Sequence, residues 1–307
     1  MTGCASGKYP MPYTADSNIS SFRMIKSQSS ITTATPFTAK LCVGDNDVDP
    51  SAINISSGSY AGLFDIYDKK ILYGKNIHQR LNPASLTKIM TAIVALKNGS
   101  ADMILTATSN VTLKEYDAQK MDLKPGDTMT LSQALNILLL YSANDVAILI
   151  AEGIAGSQDA FVEMMNKEAA SIGATNTHFV NPHGLTADDH YTTVYDMYLI
   201  MNDAMQFELF NEIIHTSEYS TVYHDSAGMD KEISIKSTNL YITGAKETPS
   251  GITIVGGKTG TTSAAGHCLV LLSRDTRSNP FISIVMKSDN REELYDNMTL
   301  LLDHIGN

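Results

Sequence analysis

Asn82-Pro-Ala-Ser-Leu-Thr-Lys88 leads straight into the apolar run Ile89-Met-Thr-Ala-Ile-Val-Ala-Leu96, and this junction organises everything around it. Pro83 suits the first turn of a helix, where a missing N–H costs nothing. The pattern predicts a helix from about Pro83 to Lys97, stopped by Asn98-Gly99. Ser85 and Lys88 then sit three apart on one face near the helix start. A serine hydroxyl needs a base close by to become a nucleophile. A lysine can be that base if burial and a second cation lower its pKa. Alone, Ser-x-x-Lys is a weak signal and reads first as a capped helix with a solvated lysine.

Two further stretches change the weighting. Tyr141-Ser-Ala-Asn144 follows, and then Gly256-Gly-Lys-Thr-Gly-Thr-Thr262. Ser-x-x-Lys, Ser-x-Asn and Lys-Thr-Gly in this order are far more specific than any one of them. With them the sequence resembles the type-5 low-molecular-mass penicillin-binding proteins, the D-alanyl-D-alanine carboxypeptidases. The likeness runs from about Ser51 to the C-terminus and includes Phe179-Val-Asn-Pro-His-Gly-Leu185.

The composition fits a large folded unit: 307 residues, 43% of them hydrophobic, allow one large core or a core with an attached subdomain. A net charge of −11 argues against nucleic acid and leaves no polybasic segment for anionic lipid. No run of about 18 apolar residues exists to span a bilayer. Met1 to Lys40 lacks the apolar region of a signal peptide, so a secreted protein would be represented here in mature or trimmed form. Cys4, Cys42 and Cys268 are too scattered for a disulfide framework or a metal site, and no cofactor is implied. Cys268 reads as a small buried hydrophobe. Thr2-Gly-Cys-Ala-Ser6 reads first as an ordinary stretch of a loose N-terminus. A lipoprotein cleavage site at Cys4 is the sharper alternative, and it would anchor the protein to a membrane.

Residues 1 to 50, rich in Ser, Thr, Ala and Pro, read as a linker; residues 51–307 form the folded domain. Tyr60–Tyr67 and Ile71–Tyr73 pair as strands about a turn at Asp68–Lys70. Short strands and turns occupy 104–130. Helices are expected at Leu131–Leu140, Asp145–Ala155, Ser157–Ile172, Thr193–Met205 and Arg291–Ile305. Strands are expected at Glu232–Lys236, Ile252–Val255, His267–Ser273 and Pro280–Met286, the last three as an antiparallel meander. The sum is an α+β fold, an antiparallel sheet flanked by helices with a helical subdomain. The resemblance implies the β-lactamase/DD-peptidase-like transpeptidase fold.

The chemistry implied by the resemblance is acyl transfer at a D-Ala-D-Ala amide of peptidoglycan stem peptides, with β-lactams as covalent inhibitors. Ser85 is the nucleophile and Lys88, kept neutral by burial and by Lys258, its base. Ser142 passes a proton to the leaving nitrogen, and Asn144 binds the substrate backbone or holds Lys88. The backbone N–H groups of Ser85 and Thr261 form the oxyanion hole. Gly256, Gly257 and Gly260 fit a strand edge that a peptide approaches closely, adding itself as a strand. Thr259, Gly260, Thr261 and Arg291 are the substrate-binding candidates, Arg291 for the terminal carboxylate. Asn181-Pro-His-Gly184 reads as a turn with His183 hydrogen-bonded structurally rather than catalytically.

Three alternatives stand beside this reading. A class A β-lactamase shares the motifs but deacylates with a glutamate, and His178–Leu185 contains none. A non-catalytic sensor or scaffold would be acylated once, against which the undegraded motifs speak. An endopeptidase cutting cross-links would use the same site. Many type-5 members also carry a further β-rich domain and a C-terminal amphipathic anchor, for which this chain has no matching segment.

Overall fold

The structure, a computed structural model, describes residues 37–49, 51–113 and 118–305. Cys4 and the N-terminal stretch that contains it lie outside the described residues. Lys40–Asn307 forms one compact unit, so the folded part starts ahead of the expected boundary at Ser51. The reason is tertiary. Cys42 is buried and its N–H donates to the Tyr198 hydroxyl at 2.8 Å. Val48 and Gly74 exchange both backbone hydrogen bonds, and Asp47 accepts from the Ile77 N–H.

In chain order the elements are β1 (Tyr60–Asp65), β2 (Lys70–Lys75), a 3-10 turn (Ala84–Leu86), α1 (Thr87–Asn98), β3 (Ile104–Thr106), β4 (Thr128–Thr130), α2 (Leu131–Asn136) and a π-turn (Ile137–Tyr141). They continue with α3 (Asn144–Ala155), α4 (Gln158–Ser171), α5 (Val194–Ala204), α6 (Glu208–His215), β5 (Glu218–His224), β6 (Asp230–Lys236), β7 (Thr253–Thr262), β8 (Gly266–Arg274), β9 (Pro280–Ser288) and α7 (Arg291–Ile305). The expected meander is β7–β8–β9, and the expected hairpin is β1–β2. Together they make a five-stranded antiparallel sheet in the order β2-β1-β9-β8-β7.

This sheet is a middle layer. Alternation along its strands sends Ala61, Leu63, Leu269, Leu271 and Val285 toward α7, where Leu294, Met298 and Leu301 meet them. Phe64, Val270, Leu272, Ile282 and Ile284 face the other way, into a larger core built on α1, α3 and α5. Helix α1 is buried along nearly its whole length, from Thr87 to Ala95, as its apolar run requires.

A second sheet, in the order β3-β4-β5-β6, was not foreseen, nor were α6 and β5 as separate elements. The α1 start also differs from the expectation. It opens as a 3-10 turn in which Ala84 takes φ +49°, a left-handed conformation that a non-glycine residue holds at a cost of about 1–3 kcal/mol. The Leu131–Leu140 segment is helical, but its last turn widens into the π form and ends at Ser142 with φ +69°. Wide turns of this kind gather at functional positions. The described residues hold no cis peptide bond, so Asn181–Pro182 is trans.

Candidate active site

Three pieces of backbone meet at one cleft of about 330 Å³: the 3-10 turn before α1, the junction between the π-turn and α3, and the outer edge of β7. The left-handed Ser142 turns the chain so that Ser142 and Asn144 both face inward, and Asn144 opens α3. Strand β7 comes so close to the nucleophile turn that a Cβ on Gly260 would lie 3.0 Å from the Ser85 nitrogen. A side chain there would push the turn back by a few tenths of an ångström, and glycine spares it that shift.

At the floor, Lys88 is fully buried. Its Nζ donates to Ser85 Oγ at 2.9 Å, to Asn144 Oδ1 at 2.7 Å and to the His183 carbonyl at 2.6 Å. Lys258 reaches in from β7, and its Nζ donates to Ser142 Oγ at 2.9 Å and to the Thr259 carbonyl at 2.8 Å. Burial drives the Lys88 pKa well below the ordinary lysine value, and the Lys258 charge pushes the same way, with Asp145 opposing. Burial alone brings Lys258 down to about 7. An amine held this way accepts a proton at neutral pH, which is what a hydroxyl nucleophile needs beside it.

Ser85, Ser142, Asn144, Thr259, Gly260, Thr261 and Arg291 all line the cleft, with Lys88 and Lys258 beneath it. Every site residue drawn from the motifs is therefore brought to one place. Arg291, the first residue of α7, stands exposed at the rim. His183 keeps its ring out of the lining. Burial, with Lys88 beside it, holds the imidazole down to about 3, and its Nδ1 accepts from the Leu185 N–H at 3.2 Å. The structural turn expected for Asn181–Gly184 is what forms, with Asn181 Oδ1 accepting from the Gly184 N–H.

Several residues in and around the cleft went unread in the sequence. Thr238 enters the lining from the segment after β6, its hydroxyl 2.6 Å from that of Thr259. His267, directly opposite Thr261 across the β7–β8 pair, places Nδ1 3.2 Å from the Thr261 hydroxyl. Gln119 also lines the cleft, and its carbonyl accepts from the Asn144 N–H. Asp145, buried, takes the N–H groups of Met121 and Leu123 and so ties down the segment that follows Gln119. Only Asp145 had an available signal, a charged residue followed at once by an unbroken apolar helix. Among the described residues no glutamate lines the cleft. Among the described residues no cluster of His, Cys, Asp or Glu is arranged to hold a metal ion.

A serine on a buried lysine, a second serine–lysine pair across from it and a glycine-lined strand edge form the parts of an acyl-transfer site. The chain belongs to the D-alanyl-D-alanine carboxypeptidase family, peptidase S11, which it matches over residues 46–290. It is 32% identical over 237 residues to D-alanyl-D-alanine carboxypeptidase DacF of Bacillus subtilis, covering 76% of this chain and 58% of that one. It is 33% identical over 248 residues to DacA of Escherichia coli, covering 77% and 57%. The chain thus spans little more than half the length of these two relatives. Among solved structures, the Streptomyces K15 DD-transpeptidase superposes with a TM-score of 0.71 at 25% identity, covering 85% of this chain and 98% of that one. The α+β fold is that of the DD-peptidases.

Proposed function

We propose that this chain is the catalytic unit of a serine-type D-Ala-D-Ala carboxypeptidase that trims peptidoglycan stem peptides on the outer side of the cell membrane. The observation that carries the proposal is the Lys88 amine nitrogen, buried and within 2.9 Å of Ser85 Oγ. The family's own name and the relatives' activity point to the same substrate.

In this reading the peptide lies along the outer edge of β7 as an added strand, its terminal carboxylate toward Thr259, Thr261 and Arg291. Neutral Lys88 takes the Ser85 hydroxyl proton as Oγ bonds to the penultimate carbonyl carbon. The N–H groups of Ser85 and Thr261 hold the resulting oxyanion; losing one such donor typically costs about a hundredfold or more. As the C–N bond breaks, Ser142, backed by Lys258, delivers its proton to the departing D-alanine nitrogen and recovers the one that Lys88 took from Ser85, which leaves Lys88 neutral for the second step. Water then attacks the ester. Lys88 takes its proton and returns one to Ser85 Oγ, leaving the shortened peptide acid.

A β-lactam would enter the same route and stop at the ester, because its ring-opened fragment stays attached and, among the described residues, no glutamate lines the cleft to activate water. Among the described residues no helix is long and apolar enough to cross a membrane. Mass spectrometry after benzylpenicillin tests the proposal, alongside D-alanine release from a pentapeptide. A persistent adduct that disappears in Ser85→Ala, with steady D-alanine release, is the expected result. Rapid penicillin turnover would instead favour a β-lactamase, and an adduct without D-alanine release a sensor.

A further inference from the structure

Behind the nucleophile, away from the cleft, a directed chain of hydrogen bonds ends on the residue before Ser85. The Val180 N–H donates to His190 Nδ1 at 3.0 Å. With Nδ1 occupied as an acceptor, the ring proton sits on Nε2, and Nε2 lies 2.9 Å from the Thr87 hydroxyl. Thr87 Oγ1 in turn donates to the Ala84 carbonyl at 2.8 Å. His190 is 2% exposed and Thr87 wholly buried. Ala84 is the residue held at φ +49°. Its carbonyl is also wedged against Gly184, where a Cβ would come within 2.0 Å of the oxygen. The Asn82 side chain donates to the His190 carbonyl at 3.1 Å, tying the histidine's backbone to the same turn.

We propose that His190, acting through Thr87, is a positioning residue that locks the left-handed Ala84 turn and so aims Ser85 and its N–H at the reacting carbonyl. The proposal rests on the acyl-transfer reading above and adds two residues to it that never touch substrate. The direction of every bond in the chain is fixed by its first link. A protonated ring would need a second acceptor in place of the Val180 N–H, and burial keeps this imidazole neutral by lowering its pKa to about 4. The lock therefore holds across the whole neutral range. Small errors in nucleophile placement cost about a hundredfold in rate for a shift near 1 Å.

The test uses the full chain and a fluorescent penicillin, separating the limiting acylation rate from the half-saturating concentration. Thr87→Val and His190→Leu are expected to lower the limiting rate about tenfold to a hundredfold, with half-saturation unchanged within about twofold. Thr87→Ser, which keeps the hydroxyl, and His190→Gln, which keeps an N–H donor, are expected to recover most of the rate. Thermal midpoints are recorded for all four. A Thr87→Val protein that acylates at the wild-type rate overturns the proposal, as does a loss confined to half-saturation or one that Thr87→Ser fails to restore. Should His190→Leu not fold, the Thr87→Val and Thr87→Ser pair decides alone. A wild-type protein that takes up no penicillin sinks the acyl-transfer reading itself. Normal wild-type uptake with indifferent variants sinks only the lock.

Discussion

Lys258 shows how function and stability compete at one residue. It is buried, and burial brings its pKa down to about 7, against about 10.4 in an unfolded chain. Between those values the unfolded chain carries a proton that the native one lacks, so stability rises as pH climbs through that window. Below about pH 7 the burial penalty is present in full. Replacing Lys258 by Met removes the penalty while stranding Ser142 Oγ. By urea midpoints, the variant is expected to be about 1–2 kcal/mol more stable than wild type at pH 6. The difference should shrink toward zero near pH 10, with acylation lost throughout. A variant less stable at pH 6 than at pH 10, relative to wild type, would contradict this account. The motif lysines were legible in the sequence because short spacing put each beside its serine or on its strand. Their depressed pKa values depend on how deeply three separate segments enclose them, which spacing alone does not encode.

At the level of elements, the segment 181–185 and the nucleophile turn are fitted backbone to backbone. Gly184 has φ +89°, and a Cβ there would meet the Ala84 carbonyl at 2.0 Å. Gly184→Ala is therefore expected to cost at least about 2 kcal/mol, since both the conformation and the contact oppose it. Chemical denaturation measures this directly, and a loss below about 0.5 kcal/mol would mean the two segments can slide apart. Periodicity made most elements readable: α7 runs from Arg291 to Ile305 as its apolar face required, and the β7–β8–β9 meander follows its turns. Strand β5 was missed because its half-buried positions are Tyr, Thr and Tyr and its one aliphatic residue, Val222, faces solvent, so no apolar alternation betrays it. Helix α6 is only eight residues long, too short for its pattern to stand out. Residues 40–49 were read as linker because their partners, Tyr198, Gly74 and Ile77, lie far along the chain.

Across the whole molecule, the five-stranded sheet divides two cores, and its centre is not fully apolar. Ser283 on β9 is buried between Leu63 and Leu271 of the neighbouring strands. Its hydroxyl has no hydrogen-bond partner among the described residues. An unmatched buried hydroxyl costs about 1–3 kcal/mol. Ser283→Ala should raise stability by about 1 kcal/mol, or a few degrees in Tm, without altering penicillin acylation. A lower Tm would mean the hydroxyl is satisfied after all. The sheet order has one further outcome. Because β7 is the terminal strand, whatever settles along it is recognised chiefly by main-chain groups, and main-chain groups do not mutate. If a wall peptide and its β-lactam mimics settle there as proposed, drug escape would have to come from the rim, through residues such as Gln119, Thr238 or His267, because a change that bars an inhibitor from the strand itself would bar the peptide as well.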